Sequence, residues 1–583
     1  MSRGPPPEAV ATTCEMESRP RQRSGLLLFA ALAGLLCLGS LCFVGACGAL
    51  AYLGFGPLRE GTVPLPFIPT VPLPVPPIGV ERETPAPTPS GRSGLLRLVA
   101  PPPETWDPAL AGDLDSAQFI TKVFAGLVSL DEDLEVQPDL AEGWEVSADG
   151  RVYTFHLRED ARFHDGRLIT ADDVRYSLER ACDPTTGSPV AEAYLADIVG
   201  VREKLKGQAD TIRGLEVLDS HTLRLTVDAP KAYFLSKLTY PTAFIVDRTQ
   251  VETDPDWLQH PNGSGPFRLR EWTDDRIVLE PSPNYHGPRP DVGQVVFYTA
   301  LQGVPVTMYE NGELDAVPVE GDQLERVLDP ANPLHRELQT VPLLDTFYVG
   351  LNVRRPPFDD VQVRRAFAMA LNREGIVQVI LKGQAQVARG ILPPGMPGYH
   401  PDLEGIPYDP EEARALLARS RYEGPEGLPP ITLTTGGSGQ MGQVLAEMWG
   451  EALGVDVQVE VPVRGVGTEW SEGRLQMVLL GWIADYPDPE NFLDLLFHSQ
   501  SPQNHAGYSN PEVDRLLEAA RAEPDPEKRF ALYREAEEIL VADAPWIPLY
   551  HDTAHLLVKP YVEGLRMTPQ GLYDLQAVRL HSP

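Results

Sequence analysis

Cysteine is nearly absent from most of this 583-residue chain. Four of the five cysteines lie in the first 50 residues, and Cys182 alone falls in the long remainder. A single thiol cannot form an internal disulfide, and no Cys/His spacing typical of a structural zinc site occurs. The sequence therefore predicts a large body that depends on neither disulfides nor metal, and it indicates no cofactor.

Positive charge is scarce as well. The chain carries 49 Lys and Arg against 83 Asp and Glu, which gives a formal net charge of −34 at pH 7. Basic and acidic residues are equal in number within residues 1–90, so the whole excess lies in residues 91–583. Because such an acidic surface repels nucleic-acid phosphates and anionic lipid, we expect neither as a partner.

The sequence also lacks the common catalytic signatures. It contains no Gly-x-Ser-x-Gly elbow and no HExxH motif, so a serine nucleophile or a catalytic zinc has no support. The glycine loop 435–442 follows a strand pattern and precedes a helix pattern. It lacks both the Gly-Lys-Ser/Thr ending of a P-loop and the spacing of a dinucleotide fingerprint. These absences argue against an enzyme and against nucleotide binding.

Residues 25–56 contain no charged side chain, and about 20 apolar residues suffice to cross a bilayer as a helix. Three arginines precede this segment, Arg19, Arg21 and Arg23. Their position predicts a cytoplasmic tail at 1–24, a transmembrane anchor at 25–56 and everything later outside the membrane.

A lipoprotein is the alternative to a membrane-spanning anchor. Residues 44–47 resemble a bacterial lipobox, in which Cys47 would be lipidated after cleavage. The long leader and the apolar residues up to Phe55 favour the uncleaved anchor. Either form tethers the protein to the outer face of the cytoplasmic membrane.

The linker 57–90 contains 11 prolines and is expected to be an extended spacer.

Residues 91–583 alternate between helix and strand patterns, which predicts an α/β body. Three helices are expected to start at an N-cap followed by proline, at Asp409-Pro410, Asn510-Pro511 and Asp525-Pro526. A strand at 431–434, a helix at about 440–453 and a strand at 455–461 predict a βαβ unit. The alternating segment 151–157 predicts one strand of a hairpin.

The segment 475–493 joins an apolar strand to acidic residues. Residues 475–483 are typical of a strand in a sheet that is covered on both faces, and Asp485 and Asp488 follow directly. Two explanations stay open for these carboxylates. They brace a proline-rich turn, or they lie at a site, either as a ligand contact or as the acid and base of a glycosidase.

Several longer motifs, taken in order, resemble the extracytoplasmic solute-binding proteins of peptide-type ABC transporters, the group that binds oligopeptides, dipeptides or nickel. The motifs lie at 139–175, 262–287, 347–374, 392–417, 481–493 and 532–550, and include DLAEGWEVSADGRVYTFHL, NGSGPFRLREW, FYVGLNVRRPPFDDVQVRRAFAMALNRE and GWIADYPDPENFL. This resemblance covers nearly all of 91–583.

The resemblance implies a bilobal α/β receptor of the periplasmic-binding-protein type (type II, large peptide-binding class), with an extra inserted domain and a hinge between the lobes. The expected partition is 91–140, 239–345 and 556–583 for lobe 1, 141–238 for the inserted domain, and 346–555 for lobe 2. The implied partners are a small peptide or similar solute and a membrane permease with cytoplasmic ATPases. We expect a monomer that needs no ATP site of its own.

The resemblance also implies site residues. Asp485 would pair with the N-terminal ammonium of a peptide, and the backbone of Gly481, Trp482 and Ile483 would meet an extended peptide. Four further candidates are Tyr486, Tyr348, Asn352 and Arg389, the last as a partner for a ligand carboxylate. At Ala125 the sequence lacks the glutamate that is common in the family, which puts that first-lobe contact in doubt.

Three alternatives to peptide import stay open at this level. In the first, the same fold binds a nickel chelate, an oligosaccharide or haem. In the second, Asp485 and Asp488 are the carboxylates of an extracytoplasmic hydrolase. A sensor that signals through the single span is a third, although the short tail 1–24 carries no signalling domain.

Overall fold

The computed structural model describes residues 94–462 and 465–581. The predicted tail 1–24, the anchor 25–56 with Cys47, and the linker 57–90 lie outside the described residues. Within the described ranges, no helix combines the length and the apolar character that a bilayer crossing requires.

Twenty-three strands occur in the described ranges. They are β1 (Leu95–Val99), β2 (Val128–Leu130), β3 (Val136–Pro138), β4 (Ala141–Val146), β5 (Val152–Leu157), β6 (Leu215–Asp219), β7 (Thr222–Thr226), β8 (Phe267–Trp272), β9 (Arg276–Pro281), β10 (Gln294–Tyr298), β11 (Ala316–Pro318), β12 (Leu338–Pro342), β13 (Asp345–Leu351), β14 (Gln386–Val387), β15 (Ile431–Thr435), β16 (Val457–Glu460), β17 (Met477–Ile483), β18 (Trp546–His551), β19 (Thr553–Val558), β20 (Val562–Glu563), β21 (Arg566–Met567), β22 (Tyr573–Asp574) and β23 (Arg579–Leu580).

Sixteen α-helices accompany them in the same part of the chain. They are α1 (Leu114–Val123), α2 (Ala171–Ala181), α3 (Ala191–Leu195), α4 (Val201–Leu205), α5 (Phe234–Lys237), α6 (Arg248–Thr253), α7 (Pro305–Glu310), α8 (Gly321–Leu328), α9 (Val361–Met369), α10 (Arg373–Gly375), α11 (Pro410–Arg419), α12 (Gln440–Leu453), α13 (Val466–Ser471), α14 (Asp494–Phe497), α15 (Pro511–Ala522) and α16 (Pro526–Asp543).

The predicted helix starts are confirmed, because local hydrogen bonds determine them. The Asp409 side chain accepts hydrogen bonds from two backbone N–H groups of the first turn of α11. Asn510 and Asp525 cap α15 and α16 in the same way, each with proline as the first helical residue. These side chains satisfy backbone donors that a helix leaves free at its start.

Four larger sheets form the framework. Their strand orders are β1-β10-β9-β8, β11-β19-β12, β4-β5-β7-β6 and β14-β18-β13-β17-β15-β16. The predicted βαβ unit is confirmed, since β15 and β16 pair in parallel with Ile431 opposite Val457 and α12 connects them. The predicted strand at 151–157 is β5, which pairs with β4 before it and with β7.

Two of the sheets lie almost wholly within single regions of the partition expected from the sequence, whereas β19 crosses the expected boundary at 555/556. All four strands of the β4-β5-β7-β6 sheet fall within 141–238, and the six-stranded sheet falls within 346–555 apart from the first residue of β13. The division into lobes and an inserted domain stays a prediction. One apolar cluster nevertheless spans both regions, since it includes Phe155 and Leu225 as well as Tyr348 and Trp546.

The chain passes twice between the three-stranded and the six-stranded sheet. The first crossing joins β12 to β13, and the second joins β18 to β19 through Asp552. A carboxylate oxygen of Asp345 accepts a hydrogen bond from the Asp552 N–H at 2.7 Å. The His551 ring nitrogen Nδ1 lies 2.8 Å from the Asp345 carbonyl oxygen. The two crossings are therefore tied together where a hinge is expected.

The strand predicted at 475–483 is β17, but it is not buried along its whole length. Met477 and Val478 are buried against opposite faces of the sheet. Gly481 is exposed, and its neighbours Trp482 and Ile483 are half-buried. The expectation of a strand covered on both faces is wrong for the C-terminal end of β17. The residues that pack on the two faces of the sheet do not extend as far as the end of this strand.

The glycine pair at Gly263 and Gly265 supports a close approach between segments. A Cβ atom at Gly263 would lie 1.9 Å from the Val123 carbonyl oxygen, which is backbone and cannot rotate away. We predict that Gly263→Ala lowers the melting temperature, since overpacking of this kind costs about 1–3 kcal/mol. Gly436→Ala is the matched control, because a Cβ there meets no atom within 4 Å. Equal melting temperatures for the two variants would contradict the argument.

Candidate functional site

The last residues of β17 present an unpaired backbone edge. Strand β13 pairs with β17 over its full length, from Met477 opposite Leu351 to Ile483 opposite Asp345. On the other side, β15 pairs only with the residues from Met477 to Leu479. Among the described strands, residues 480–483 thus have no neighbour on the β15 side. A free strand edge offers alternating N–H and C=O groups to an added strand.

Asp485 follows this edge and is held from two directions. The Tyr194 hydroxyl donates a hydrogen bond to Oδ2 of Asp485. The Asn491 side-chain amide donates to the same oxygen at 3.2 Å. The other oxygen, Oδ1, has no hydrogen-bond donor among the described residues. The carboxylate is therefore oriented but only partly satisfied.

Asn491 links Asp485 to the strand end. Its side-chain oxygen Oδ1 accepts a hydrogen bond from the Asp485 backbone N–H at 3.2 Å and from the Trp482 indole Nε1 at 3.1 Å. The carbonyl oxygen of Asp485 in turn accepts from the Gln570 amide at 2.7 Å. These bonds fix Asp485 against both β17 and the C-terminal segment of the chain.

Asp485 has a raised pKa and no cationic partner among the described residues. Burial raises the pKa of its carboxyl to about 6, although the hydrogen bonds from Tyr194 and Asn491 act in the opposite direction. No lysine, arginine or histidine of the described ranges forms an ion pair with it. A half-buried carboxyl without a counter-ion is suited to a cationic group from outside the protein.

Three other acidic side chains of the segment 484–494 do have cationic partners. The pairs are Asp488 with Arg529, Glu490 with Lys237, and Asp494 with Arg521. All three carboxylates are buried. Asp485 is thus the acidic residue of this segment whose charge the described part of the protein leaves unbalanced.

Asp488 braces the turn, as one of the two predicted explanations had it. Its Oδ1 accepts a hydrogen bond from the Glu490 N–H at 3.0 Å. The Arg529 guanidinium donates to both of its oxygens, at 2.9 and 2.5 Å. Both oxygens of Asp488 are therefore engaged, and the arrangement gives no support to a catalytic pair with Asp485.

Glu490 lies in a buried network that joins this segment to the region 141–238. The Lys237 ammonium lies 2.9 Å from Glu490 Oε1 and 3.1 Å from Asp197 Oδ2. The Tyr486 hydroxyl donates to the other oxygen of Glu490. Burial pushes the pKa of Asp197 upward, but Lys237 and Lys231 outweigh it and hold that pKa at about 2. The network fixes the segment that carries Asp485.

Tyr194 is a site residue that sequence reasoning missed. It lies on the short helix α3, and its ring stacks on Tyr240 with centroids 4.1 Å apart and planes 4° from parallel. The Tyr486 ring meets it edge-on at 6.1 Å. Tyr194 is separated from Asp485 by 291 positions in the chain, so no local pattern connects the two. In the sequence it is indistinguishable from an ordinary core tyrosine.

The structure brings Trp482, Ile483 and Tyr486 close to Asp485, together with the backbone at Gly481. Tyr486 is fully buried, so it supports the segment from inside. A Cβ built on Gly571 would lie 3.4 Å from Cδ1 of Ile483, so this side chain packs next to the C-terminal segment. A Cβ at Gly481 would lie 3.1 Å from the Phe347 ring, so glycine makes room for this ring beside the strand. Roles for these residues in binding stay a prediction.

Tyr348 lies on β13, and Asn352 is the first residue after this strand. The Tyr348 ring is buried and stacks on Trp546 with centroids 3.3 Å apart. Asn352 donates to the carbonyl oxygens of Gly473 and Leu475 at 3.3 and 3.1 Å. Asn352 also lines a cavity of about 620 Å³ at the far end of β13, which Asp485 does not line. These contacts are those of core and turn residues.

Arg389 lines a second cavity, of about 420 Å³, which does not include Asp485. It follows β14, which is separated from β17 by β18 and β13. At about 4.8 Å per strand, this places the two segments about 14 Å apart across the sheet.

Ala125, where the family glutamate is missing, is buried, and its carbonyl accepts from the Ile245 N–H at 3.0 Å.

Comparison with known proteins identifies the family. The profile of bacterial extracellular solute-binding proteins, family 5, matches residues 135–504. The chain belongs to this family. As a family 5 protein it is an extracytoplasmic solute-binding protein, which confirms the predicted family and its non-enzymatic class.

Three relatives illustrate the likeness. The dipeptide-binding protein DppE of Bacillus subtilis is 31% identical over 496 residues, covering 81% of this chain and 89% of the relative. The structure of the murein tripeptide binding protein MppA of Escherichia coli matches with a TM-score of 0.75 and 28% sequence identity, and the match covers 85% of this chain and 99% of MppA. The structure of the ABC transporter-associated periplasmic binding protein DppA from Helicobacter pylori, in complex with peptide STSA, matches with a TM-score of 0.73 and 27% sequence identity. That match covers 84% of this chain and 98% of DppA. The predicted fold class of this family 5 chain, α/β and periplasmic-binding-protein-like, is confirmed.

The raised pKa of Asp485 predicts a pH-dependent stability difference. A carboxyl whose pKa is higher in the folded than in the unfolded state binds more protons when folded, so the stability it contributes falls as pH rises through about 4 to 6. Asp485→Asn removes this loss. We expect its melting temperature, relative to wild type, to increase between pH 4 and pH 7. A difference that stays constant over this range would contradict an elevated pKa.

Asp488 should respond in the opposite way. Asp488→Asn leaves the Arg529 guanidinium buried without its counter-ion, and breaking a buried pair costs about 3–5 kcal/mol. We expect a clear loss of thermal stability at pH 7, measured by calorimetry, while Asp485→Asn shows none. If both variants melt like wild type, the division between a bracing and an unbalanced carboxylate is wrong.

Proposed function

We propose that this chain captures small peptides outside the cytoplasmic membrane and delivers them to an ABC permease. The observation that carries the proposal is the unbalanced carboxylate of Asp485 at the end of an unpaired strand edge. The names of its relatives support the ligand class, since DppE is a dipeptide-binding protein and MppA a murein tripeptide binding protein. The DppA structure from Helicobacter pylori contains a bound peptide.

Asp485 is assigned to the peptide ammonium. Its Oδ1 has no donor among the described residues, so an N-terminal ammonium can bind there without displacing Tyr194 or Asn491 from Oδ2. A charge pair near 4 Å at an effective dielectric of about 20 is worth about 4 kcal/mol before desolvation. This interaction depends on the ligand backbone and is independent of its side chains.

The free edge at 480–483 is assigned to the peptide main chain. An extended peptide that adds to a strand edge forms hydrogen bonds through its backbone, which every sequence provides. Gly481 supports this role because it is exposed, so its backbone is accessible to an added strand. Recognition through the main chain and one terminal charge suits a receptor that accepts many peptide sequences.

Delivery is assigned to a membrane permease with cytoplasmic ATPases. The sequence of 25–56 supports a membrane tether, as a span or through lipid at Cys47, and the proline-rich 57–90 supports a spacer. A spacer of 34 residues in polyproline II conformation reaches about 100 Å, which leaves the binding body free to meet a permease in the same membrane.

The primary test is calorimetric titration of the full chain with a panel of di-, tri- and tetrapeptides. We expect saturable binding to wild type and a loss of at least 100-fold in affinity for Asp485→Asn. The variant should not melt below wild type at pH 7, since Asn retains an oxygen that can accept from Tyr194 and removes a charge that is costly to bury. Unchanged affinity in the variant would remove Asp485 from the site.

Mass spectrometry of ligands co-purified from a native preparation would reveal a non-peptide solute, and peptide cleavage would indicate a hydrolase.

Affinity should also depend on pH. With a pKa of about 6 in the ligand-free protein, Asp485 is ionised at pH 7.5 and largely protonated at pH 5. The peptide ammonium is fully charged below pH 6, so we expect affinity to fall by up to about tenfold per pH unit there as Asp485 becomes protonated. The same titration of Asp485→Asn is the control and should be nearly flat. An equal slope in both proteins would assign the pH effect to another group.

A further inference from the structure

The cavity of about 420 Å³ beside β14 contains two arginines. Arg373, at the start of α10, and Arg389, just after β14, both line it. Its apolar wall includes Leu371, Val387 and Ile406. The cavity lies three strands away from the Asp485 segment, and none of its lining residues contacts Asp485. The site is therefore distinct from the one assigned to the peptide ammonium.

Arg373 is buried, with only 7% of its surface exposed, yet it is poorly satisfied. Its Nε has no hydrogen-bond partner among the described residues. Its Nη2 makes one long hydrogen bond, 3.4 Å to the Ala368 carbonyl oxygen. No carboxylate of the described ranges forms an ion pair with it. Burial accordingly lowers its pKa to about 10, which reflects a cation without a counter-ion.

Other buried arginines of this protein are treated differently. Arg529 has both oxygens of Asp488 within 2.9 Å. Arg364, exposed to the same 7%, donates to the carbonyl oxygens of Asp543 and Phe358 at 2.8 and 2.9 Å. Arg373 has neither arrangement. A buried guanidinium is costly unless it is paired. The unused hydrogen-bond donors of Arg373 therefore suggest that a partner from outside the protein binds there.

Arg389 adds a second positive charge to the same space. It is exposed and makes no ion pair within the described ranges. It lies near enough to Arg373 to lower the pKa of that residue, although the nearby Glu374 acts on the same pKa more strongly and in the opposite direction. Glu374 and Glu404 are exposed at the rim, and neither forms an ion pair with either arginine. Two like charges that share a cavity repel each other, and an anion bound between them would relieve this repulsion.

One wall of the cavity lies against the backbone of Arg389. Gly405 has a φ of +70°, and a Cβ atom there would lie 2.4 Å from the Arg389 carbonyl oxygen. This close approach brings the segment 404–408, which lines the cavity, next to Arg389. The planar guanidinium of an arginine suits bidentate recognition of a planar or tetrahedral oxyanion.

We propose that this cavity is a second binding site, which holds the carboxylate or phosphate group of a small anion between Arg373 and Arg389. The apolar part of the ligand packs on Leu371 and Ile406. The site goes beyond the proposed peptide capture and is independent of Asp485. It also gives Arg389 a role other than contact with the carboxylate of a peptide held at Asp485.

The test measures thermal stabilisation of the full chain by inorganic phosphate and, separately, by succinate, at ionic strength held constant with sodium chloride. A ligand that binds only the folded state raises the melting temperature in a saturable way. We expect saturation with at least one of the two anions, and the anion with the lower midpoint identifies the preferred group. No saturable rise with either anion overturns the proposal.

Three variants make the test specific. Arg389→Gln, at an exposed position, should raise the midpoint at least tenfold, and Arg373→Gln should abolish the response. Arg365→Gln is the matched control, because Arg365 is also exposed and does not line the cavity. Asp485→Asn should respond like wild type. A response lost in Asp485→Asn, or unchanged in Arg389→Gln, contradicts a separate anion site even if Arg373→Gln fails to fold.

Discussion

Burying a carboxylate is costly unless a cation meets it, and the segment 484–494 contains four acidic side chains in a largely buried setting. Three of them, Asp488, Glu490 and Asp494, have an arginine or lysine within 2.9 Å. Asp485 has none in the described part of the chain. Three cations thus balance three of the four charges of this segment, and the charge that stays unbalanced is the one that we propose a ligand meets.

The cations come from different parts of the chain, and this determines what the loop connects. Lys237 belongs to the region predicted as an inserted domain, whereas Arg521 and Arg529 lie on α15 and at the start of α16. The Gln570 amide, near the C-terminus, donates to the backbone of Asp485. Three regions therefore meet at one segment. A change in the relative position of these regions would alter the surroundings of Asp485 directly.

The fold was readable from the sequence where it depends on local interactions. Asp409, Asn510 and Asp525 cap their helices through backbone groups two or three residues away, so their pattern alone was sufficient. The βαβ unit followed from apolar periodicity. The family resemblance then pointed to Asp485, because the motif GWIADYPDPENFL lies within one continuous stretch.

The rest depends on contacts between distant positions. Tyr194 meets Asp485 across 291 positions, and Arg529 meets Asp488 across 41, so no spacing rule connects either pair. The free edge of β17 depends on where β15 stops pairing, which is a property of the whole sheet. Arg389 was a site candidate in the sequence, but Arg373 was not, because burial without a counter-ion is visible only in three dimensions.

The most direct measurement of the central claim is a thermodynamic cycle. Calorimetry gives the affinities of wild type and Asp485→Asn for one peptide with a free N-terminus and for the same peptide acetylated there. If the ammonium binds Asp485, the two changes should share one interaction, with a coupling of at least about 2 kcal/mol. Additive effects, in which acetylation weakens binding equally in both proteins, would contradict the account.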